Sequence, residues 1–435
     1  MMRRAFIGLL LTLVLVGIAV AAEQRFPPPE FTDGHVLPET LTPSVSPRTM
    51  AWVDVALLVV GLGLASWISL RLRSRLALVG LSMASLIYFG FWRQGCVCAI
   101  GSVQNVALGV ADPSYAVPLV VIGFFALPVI FALIWGRGFC GGVCPHGALQ
   151  DLVLLRAIKV PRFLDEVLRL GPWLYLSLAV LFAATGGLFL ICKFDPFVGI
   201  FRMSGSRSML LIGAGMLVLS MFVGRPYCRY LCPYGALLGA CSRVARWRPE
   251  VTPTECSRCR LCEDACPYGA IDKGLPVGVS AEPVRAGRKR ITLLLVGLPL
   301  AMLVFGWLGS RVGIASVAWH PAGELASLLE ADAVDASTRP DELVAFFRND
   351  GDRAAAFARA AEVERRATGL GWVIGALFGA VALTKTARAF FPESSPDYVT
   401  DRGRCVSCAR CYSSCPYELQ RRGIPVALPE GGKGE

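Results

Sequence analysis

The sequence predicts an all-α polytopic membrane protein with about seven transmembrane helices and an N-terminal signal peptide or anchor. Of its 435 residues, 54% are hydrophobic and only 17% are charged, whereas soluble domains average about 25% charged residues. The apolar residues are also gathered into separate blocks, each close to the roughly 20 residues that cross a hydrocarbon core of about 30 Å. These two observations exclude a soluble enzyme.

The N-terminus has the features of a secretory signal. Arg3 and Arg4 precede the apolar run 5–22, which ends in small residues that offer a cleavage site. The sequence leaves open whether residues 1–22 are a cleaved signal peptide or a retained anchor. Residues 23–50 are rich in Pro, Thr and Ser, and we expect them to form an exported, irregular arm.

Seven further apolar blocks are predicted to cross the membrane. They lie at residues 51–70, 76–92, 116–135, 171–191, 208–223, 291–309 and 370–390. With residues 23–50 outside, the segments on the inside, counted together with Arg3, Arg4, Lys385 and Arg388, contain 30 of the 43 basic residues, in agreement with the excess of Lys and Arg on cytoplasmic loops. We therefore expect a multi-pass protein of the bacterial cytoplasmic (inner) membrane with a cytoplasmic C-terminus. Orientation then accounts for the net charge of +11, and nucleic-acid binding loses its support.

Two segments of the chain repeat one another. Residues 136–149 read Gly-Arg-Gly-Phe-Cys-Gly-Gly-Val-Cys-Pro-His-Gly-Ala-Leu, and residues 224–237 read Gly-Arg-Pro-Tyr-Cys-Arg-Tyr-Leu-Cys-Pro-Tyr-Gly-Ala-Leu. Each copy follows a predicted out-to-in span. We interpret residues 51–240 as a five-helix membrane domain in which a two-helix unit has been duplicated.

Two other cysteine runs have the C-x2-C-x2-C-x3-C-P spacing of bacterial four-iron ferredoxins, at residues 256–267 and 405–416. Three thiolates of such a run surround one cubane, and the fourth ligates the other cluster in two-cluster ferredoxins. The rule predicts two [4Fe-4S] clusters. One would be held by Cys256, Cys259, Cys262 and Cys415, and the other by Cys405, Cys408, Cys411 and Cys266. Cytoplasmic disulfides are disfavoured, and zinc sites favour two separated cysteine pairs.

Both ferredoxin runs fall on the inside in this topology, although two spans separate them. We therefore predict a split dicluster ferredoxin-like α+β domain on the cytoplasmic side, assembled from residues 241–290 and 391–435. The intervening chain is predicted to be a transmembrane helix at 291–309, an exported acidic segment at 310–369 and a transmembrane helix at 370–390.

The remaining cysteines allow more than one interpretation. The duplicated motifs supply four thiols, enough for a third cluster or a zinc site, or else small apolar residues that pack at helix ends. These four are Cys140, Cys144, Cys228 and Cys232. Three further thiols, Cys96, Cys98 and Cys192, are predicted on the outer face. They form either a redox or metal centre, or a structural disulfide with one free thiol. Cys241 is interpreted as a buried small residue.

Several polar residues near these motifs are candidates for recognition. Arg258, Arg260, Arg404 and Arg410 lie within the cluster runs, where they form either a solvated basic face or a docking surface for an acidic ferredoxin or flavodoxin-like donor. His146 replaces Tyr234 between the repeats and is either a ligand or an ordinary interfacial residue. No acid–base pair or nucleophile constellation is evident. We therefore expect an electron-transfer subunit of a multi-subunit complex in the lipid bilayer, and not a self-sufficient catalyst. Flavin and quinone binding are not assigned.

Taken together, these motifs resemble the NosR/NapH-like family of polytopic membrane 4Fe-4S ferredoxin-type (polyferredoxin) proteins. The resemblance rests on the twin Cys-x3-Cys-Pro motifs, the Phe-Asp-Pro-Phe loop at 194–197 and the ferredoxin runs. It covers residues 50–275 well and the C-terminal run more loosely. It implies that the eight cysteines of the ferredoxin runs are cubane ligands. It also implies electron transfer between quinone-pool or cytoplasmic donors and periplasmic reductases or maturation factors.

The chain departs from the NosR pattern in ways that leave the pathway open. NosR-like proteins carry a large exported flavin-binding domain before the spans, where this sequence has the 28 residues 23–50. The second ferredoxin run also follows an extra membrane hairpin. The alternative function is a redox-sensing regulator or a metal-reducing assembly factor for a respiratory enzyme. A transporter is disfavoured because the spans contain few buried charges.

Overall fold

The computed structural model describes most of the chain beyond the N-terminal region. The described residues are 48–95, 98–251, 259–272, 283–331, 341–349, 351–390 and 398–426. The signal or anchor at 1–22 and most of the arm at 23–50 lie outside these ranges. Residues 48–50 of the predicted arm already belong to the first helix.

The described chain is mainly helical. In the membrane domain the helices are α1 (Arg48–Trp67), α2 (Arg75–Ser85), α3 (Ala99–Ala111), α4 (Leu119–Trp135), α5 (Pro145–Val153), α6 (Arg162–Leu168), α7 (Gly171–Ala184), α8 (Leu190–Phe194), α9 (Val198–Arg202), α10 (Arg207–Ser220), α11 (Pro226–Tyr230) and α12 (Pro233–Cys241). The helices that follow are α13 (Leu261–Ala265), α14 (Pro283–Ser316), α15 (Pro321–Ala331), α16 (Asp341–Arg348), α17 (Arg353–Phe390) and α18 (Pro416–Arg421). Two-residue strands lie at β1 (Ile271–Asp272) and β2 (Val399–Thr400). π-helical turns span Ile68–Leu72, Leu86–Trp92 and Phe139–Val143, and 3-10 turns span Ser242–Val244 and Val317–Trp319.

Five helical segments of the described residues are long and apolar enough to cross a membrane, compared with the seven predicted from sequence. They are Thr49–Leu72, Arg75–Trp92, Phe163–Ala184, Ile291–Trp319 and Arg353–Ala387. Two predicted spans are shorter apolar helices, Leu119–Trp135 and Arg207–Ser220, and Ala99–Ala111 is a third helix of this kind that the sequence analysis did not identify. The helix Leu119–Trp135 ends at Gly136, which has a φ of 77°.

The two copies of the duplicated motif fold alike. In each copy one short helical turn is followed by a cysteine and then by a nine-residue helix that begins at proline, α5 in the first copy and α12 in the second. Proline is favoured at the first position of a helix because its missing N–H would have no partner there. The second cysteine of each motif, Cys144 or Cys232, is therefore the N-cap residue of a helix.

The two longest helices form a tight antiparallel hairpin. α14 has 34 residues and α17 has 38, so both extend well beyond the predicted spans 291–309 and 370–390. Glycines let the backbones touch: a Cβ atom on Gly371 would clash with the carbonyl oxygen of Gly309, and one on Gly375 with that of Phe305. Close approach at small residues is a common means of helix association in membranes.

The two predicted halves of the ferredoxin-like domain meet in a two-stranded antiparallel sheet. β1 from the first half pairs with β2 from the second, with Ile271 opposite Thr400. Val251, Ile271 and Tyr398 form a small buried core there, against which Cys262, Cys266 and Cys411 pack. Segments that are about 130 residues apart in sequence therefore build one small α+β unit.

Candidate functional site

The four cysteines of the duplicated motifs lie close together; we call Cys140, Cys144, Cys228 and Cys232 the membrane thiol set. Burial raises the pKa of Cys144, and the neighbouring thiolates of Cys228 and Cys140 raise it further. The pKa of Cys232 is likewise raised by burial and then by the other three thiols. The two copies of the repeat are thus folded against each other, with their sulfur atoms within electrostatic reach of one another.

Nitrogen donors point at three of these four sulfur atoms. Gln150 Nε2 lies 3.2 Å from the Sγ atom of Cys228, and Arg137 Nη2 lies 3.6 Å from that of Cys140. The backbone N–H of Gly235 donates to Cys232 Sγ at 3.3 Å. Donors of this kind stabilise negative charge on sulfur, as a thiolate ligand of a metal centre requires.

The arginine of each Gly-Arg motif reaches across to the other copy of the repeat. Arg225 donates to the carbonyl oxygen of Cys140, and a Cβ atom on Gly147 would lie 3.0 Å from Arg225 Nη1. In the other direction, a Cβ atom on Gly235 would lie 3.3 Å from Arg137 Nη2. The glycine of each Cys-Pro-x-Gly-Ala-Leu motif therefore leaves room for the partner repeat's guanidinium group.

A second group of thiols comes together from both ferredoxin runs; we call Cys266, Cys405, Cys408 and Cys411 the second-run set. Burial raises the pKa of Cys405 to about 12, and Cys408 and Cys266 contribute to the rise. The pKa of Cys411 is raised by burial and then by the other three thiols of the set. The structure therefore places Cys266 beside the three cysteines that the cross-ligation rule assigned to it.

The loop of the second-run set is built for tight turning. Ser407 and Ala409 have φ values of 53° and 58°, the left-handed region that non-glycine residues seldom adopt. These two residues flank Cys408, so the chain wraps round the position where the thiols converge.

The other predicted ferredoxin ligands are only partly described. Cys256 lies outside the described residues, while Cys259 and Cys262 stand at the start of α13 and Cys415 is the N-cap residue of α18. Cys262 packs against the small core that the two halves share. The grouping of these three cysteines with Cys256 stays a prediction.

On the predicted outer face, Cys98 and Cys192 are neighbours. Burial raises the pKa of Cys98 to about 12, and Asp195 and Cys192 add to the effect. A Cβ atom on Gly101, one turn into α3, would lie 3.4 Å from Cys192 Sγ. Cys96, the third predicted member, lies outside the described residues.

A buried aromatic layer separates Cys98 and Cys192, which we call the outer pair, from the membrane thiol set. His146 is 2% exposed; its Nε2 atom lies 3.1 Å from Asp195, and its ring stacks on Tyr227 with centroids 5.9 Å apart. Burial, then Asp195 and Cys232, raise the pKa of Tyr227, and Cys98 also contributes. His146 is therefore a fixed interior residue between the two groups of thiols.

The two groups of thiols border a common cavity. This narrow apolar cavity is lined by both Cys98 and Cys144, together with Phe89, Phe124 and His146. Cys98 and Cys144 also belong to the same packed core of the membrane domain, whereas Cys192 is exposed.

Within the described ranges, no three or more His, Cys, Asp or Glu side chains are placed so that they could hold one metal ion. Cys241 is partly buried at the end of α12, where it packs against the membrane-domain core.

The arginines of the ferredoxin runs are largely engaged in ion pairs. Arg404 contacts Glu166, and Arg410 lies 3.6 Å from a carboxylate oxygen of Asp151. Arg260 has a side chain that is 55% exposed, and Arg258 lies outside the described residues. Two of the four arginines proposed as a docking surface therefore serve the interface with the membrane domain.

Two of the residues that line the site were not predicted from the sequence. Gln150 and Asp151 follow the first repeat directly, at positions where the second copy has Leu238 and Gly239. That difference between otherwise matching copies was the available signal, because polar residues in an apolar repeat need partners. Asp195 was noted only as part of the loop motif at 194–197.

Comparison with known families supports an iron–sulfur assignment. A 4Fe-4S binding domain matches residues 117–162 and again 208–251, and a second type of 4Fe-4S binding domain matches residues 249–272. The first pair of matches contains the complete membrane thiol set. No solved structure matches the chain.

Similar proteins come from bacteria and an archaeon. The regulatory protein NosR of Pseudomonas aeruginosa is 31% identical over 225 residues, 46% of this chain and 30% of NosR. An uncharacterized protein of Methanocaldococcus jannaschii is 32% identical over 190 residues, 42% of this chain and 77% of that protein. The putative electron transport protein YccM of Escherichia coli is 29% identical over 156 residues, 32% of this chain and 43% of YccM.

The chain spans less than half of the length of NosR and of YccM, but most of the archaeal protein. The 4Fe-4S matches include both copies of the duplicated motif and the first ferredoxin run from Cys256 to Cys266. The chain belongs to the NosR-like family of membrane iron–sulfur proteins.

Proposed function

We propose that the chain is a membrane-bound iron–sulfur electron-transfer protein. It would carry electrons between cytoplasmic or quinone-pool donors and a membrane or periplasmic acceptor. The observation that carries the proposal is the position of Arg137, which contacts Cys140 Sγ and donates to Gly403 O at 2.9 Å, two residues before Cys405. One side chain thus touches both the membrane thiol set and the loop of the second-run set.

The thiol sets fit iron–sulfur ligation in donor type and number, although no three of the described side chains converge on a single metal ion. Each thiol set offers four cysteines, the number that a cubane requires, and such clusters supply one-electron redox chemistry when bound. In this proposal the second-run set holds one [4Fe-4S] cluster, and Cys256, Cys259, Cys262 and Cys415 hold another. The membrane thiol set holds a third, supported by the 4Fe-4S domain matches on either copy of the repeat and by the donors to its sulfur atoms.

The protein's own residues hold these sites in series. Arg137 and Arg225 lie between the second-run set and the membrane thiol set, and Tyr227 and His146 lie between the membrane thiol set and the outer pair. We propose that Cys98 and Cys192, with Cys96, are the terminal site, as a redox or metal centre or as a disulfide. The charge bias supports a cytoplasmic side for the ferredoxin-like domain and an exported side for the outer pair.

Electron transfer across sealed vesicles tests this function. Holoprotein would be reconstituted into liposomes with a membrane-impermeant acceptor inside and a reduced ferredoxin or flavodoxin outside. We expect reduction of the enclosed acceptor by the wild-type protein and by Cys241→Ser, but not by Cys144→Ser or Cys232→Ser. Transfer at the wild-type rate in both membrane-set variants would contradict the proposal.

A second candidate function is a redox-sensing regulator or metal-reducing assembly factor, which the name of the regulatory protein NosR favours. A deletion strain separates the two candidates. Loss of one periplasmic reductase activity, with its transcript and copper loading intact, supports electron transfer. A change in transcript or copper loading supports the second candidate.

A further inference from the structure

A cavity of about 90 Å³ lies between the membrane thiol set and the ferredoxin-like domain. Cys228 borders it on one side, and Arg404 and Val406, the neighbours of Cys405, border it on the other. It is therefore enclosed by elements from both repeats, α7, α17 and the second ferredoxin half.

The wall of this cavity is strongly basic. Seven basic side chains line it, among them Arg137, Arg225, Arg243 and Lys385, against two acidic ones, Glu166 and Asp401. Asp151 and Asp165 pair with arginines of the wall from behind. Counting these two and the Cys228 thiolate that the proposed cluster requires, seven basic groups face five acidic groups, which leaves an excess of two positive charges.

Two of the basic groups have donors without a partner. Arg137 is 7% exposed and Arg225 is 2% exposed, and the Nε atom of each lacks a hydrogen-bond partner among the described residues. Leaving a buried donor of a charged group unsatisfied is costly. An anion in the cavity would add compensating charge beside these two buried guanidinium groups.

One part of the wall is apolar. Pro172 and Trp173 at the start of α7, together with Ala236 and Ala240 on α12, line it. Trp173 is the third residue of the span predicted at 171–191, and tryptophan is enriched where membrane and water meet. The cavity thus combines a cationic interior with an apolar border at the expected depth of lipid headgroups.

We infer that this cavity binds the phosphate group of an anionic phospholipid, whose acyl chains leave along Trp173 and the α12 alanines. The lipid would bridge the membrane domain and the ferredoxin-like domain, neutralising the basic wall that both share. Phosphate is the chemistry that an arginine- and lysine-lined site recognises. The inference does not depend on how many clusters the protein holds.

The test is lipid binding by the full-length holoprotein in phosphatidylcholine nanodiscs to which phosphatidylglycerol is added. Native mass spectrometry would count retained phosphatidylglycerol, and thermal unfolding would report stabilisation. The double variant Lys385→Gln/Arg243→Gln removes two charges while the lysine position keeps a donor for Arg169 O, which Lys385 Nζ contacts at 3.2 Å. Each basic group that is removed should weaken the binding of phosphatidylglycerol about fivefold. The affinity of the double variant should therefore be about thirtyfold lower than that of the wild type.

The matched control is Arg246→Gln. Arg246 is exposed and lies three residues after Arg243, outside the cavity; this variant should bind phosphatidylglycerol as the wild type does. Equal losses in control and double variant would overturn the inference, because general attraction to an anionic surface would then explain binding. Full stabilisation by inorganic phosphate alone, in phosphatidylcholine, would overturn the lipid as the source of the phosphate. If the wild type and the double variant bound phosphatidylglycerol equally well, the basic wall would not be a lipid site, and its charges would only pair with other residues of the protein.

Discussion

The guanidinium group of Arg225 donates to the carboxylate of Asp151 across 2.8 Å, and both side chains are almost completely buried. Arg225 belongs to the second repeat, and Asp151 directly follows the first. The same carboxylate accepts from Arg75 at 3.0 Å and from the Tyr268 hydroxyl at 2.7 Å, and Arg410 lies 3.6 Å away. Asp151 therefore joins both repeats to both ferredoxin halves.

Replacing Asp151 should loosen this junction. Asp151→Asn leaves the buried charge of Arg225 without its counter-ion, and breaking a buried ion pair from one side costs about 3–5 kcal/mol. The expected result is a large drop in the thermal unfolding midpoint of detergent-solubilised protein. Asp112→Asn, at an exposed carboxylate on a loop, serves as the control. A variant of Asp151 as stable as this control would contradict the role assigned to the junction.

The same carboxylate predicts a pH dependence. Burial opposes ionisation of Asp151, but Arg225, Arg410 and Arg75 outweigh it and hold its pKa well below the usual range. A group whose pKa is depressed in the folded state stabilises the fold above its unfolded pKa, about 3.9 for aspartate, and loses that contribution as the pH falls. The thermal unfolding midpoint of the wild type should therefore decrease as the pH is lowered below about 4. In Asp151→Asn the thermal unfolding midpoint should depend less on pH in this range. The same pH dependence in the variant and the wild type would contradict the role of Asp151.

Arg137 is expected to set the reduction potential of the cluster proposed for the membrane thiol set. Its contact with Cys140 Sγ stabilises the more negative, reduced state, and a charge-assisted hydrogen bond of about 1–2 kcal/mol corresponds to roughly 50 mV. Arg137→Gln should lower the potential of one EPR signal by about this amount, whereas Arg246→Gln should leave every potential unchanged. Identical potentials in wild type and Arg137→Gln would refute the assignment.

The neighbourhood of Cys266 predicts which thiols share a cluster. Because Cys266 lies beside Cys405, Cys408 and Cys411, Cys266→Ser and Cys408→Ser should alter the same EPR signal of the reduced protein. Cys262→Ser, four residues earlier in the same run, should alter a different one. If Cys266→Ser and Cys262→Ser instead changed one common signal, the halves would each hold their own cluster.

The glycine seam of the hairpin can be tested with two neighbouring positions in α17. Gly371→Ala places a methyl group against the carbonyl oxygen of Gly309, whereas a Cβ atom on Gly369 meets nothing within 4 Å. Gly371→Ala should therefore lower the thermal unfolding midpoint. Gly369→Ala should raise it slightly, because alanine is favoured over glycine in helices by about 0.5–1 kcal/mol. Equal effects of the two substitutions would mean that the helices are not in contact there.

Much of this architecture could be predicted from local patterns. The ferredoxin spacing is a local requirement of the chain that wraps a cubane, so the sequence alone predicted a grouping of Cys266 with the cysteines at 405–411, and these thiols lie close together. The Cys-Pro step of each repeat likewise marks a helix start, because Pro145 and Pro233 are suited to the first position of a helix.

Other features depend on contacts that a linear pattern does not encode. The reciprocal placement of Arg137 and Arg225 depends on how two repeats pack, and hydropathy carries no information about such packing. The same holds for Gly309 and Gly371, since a glycine in an apolar run has no signature of close approach. The cavity that Cys98 and Cys144 share likewise depends on how the helices pack.

The iron and acid-labile sulfide content of anaerobically purified protein, with EPR of the reduced form, tests the central claim most directly. Three four-cysteine sites predict about twelve irons and twelve sulfides per chain. Serine at Cys144 should then remove about four of each, while Cys241→Ser removes none. About eight irons, unchanged by Cys144→Ser, would leave the membrane thiol set without a cluster and contradict a relay through the membrane domain.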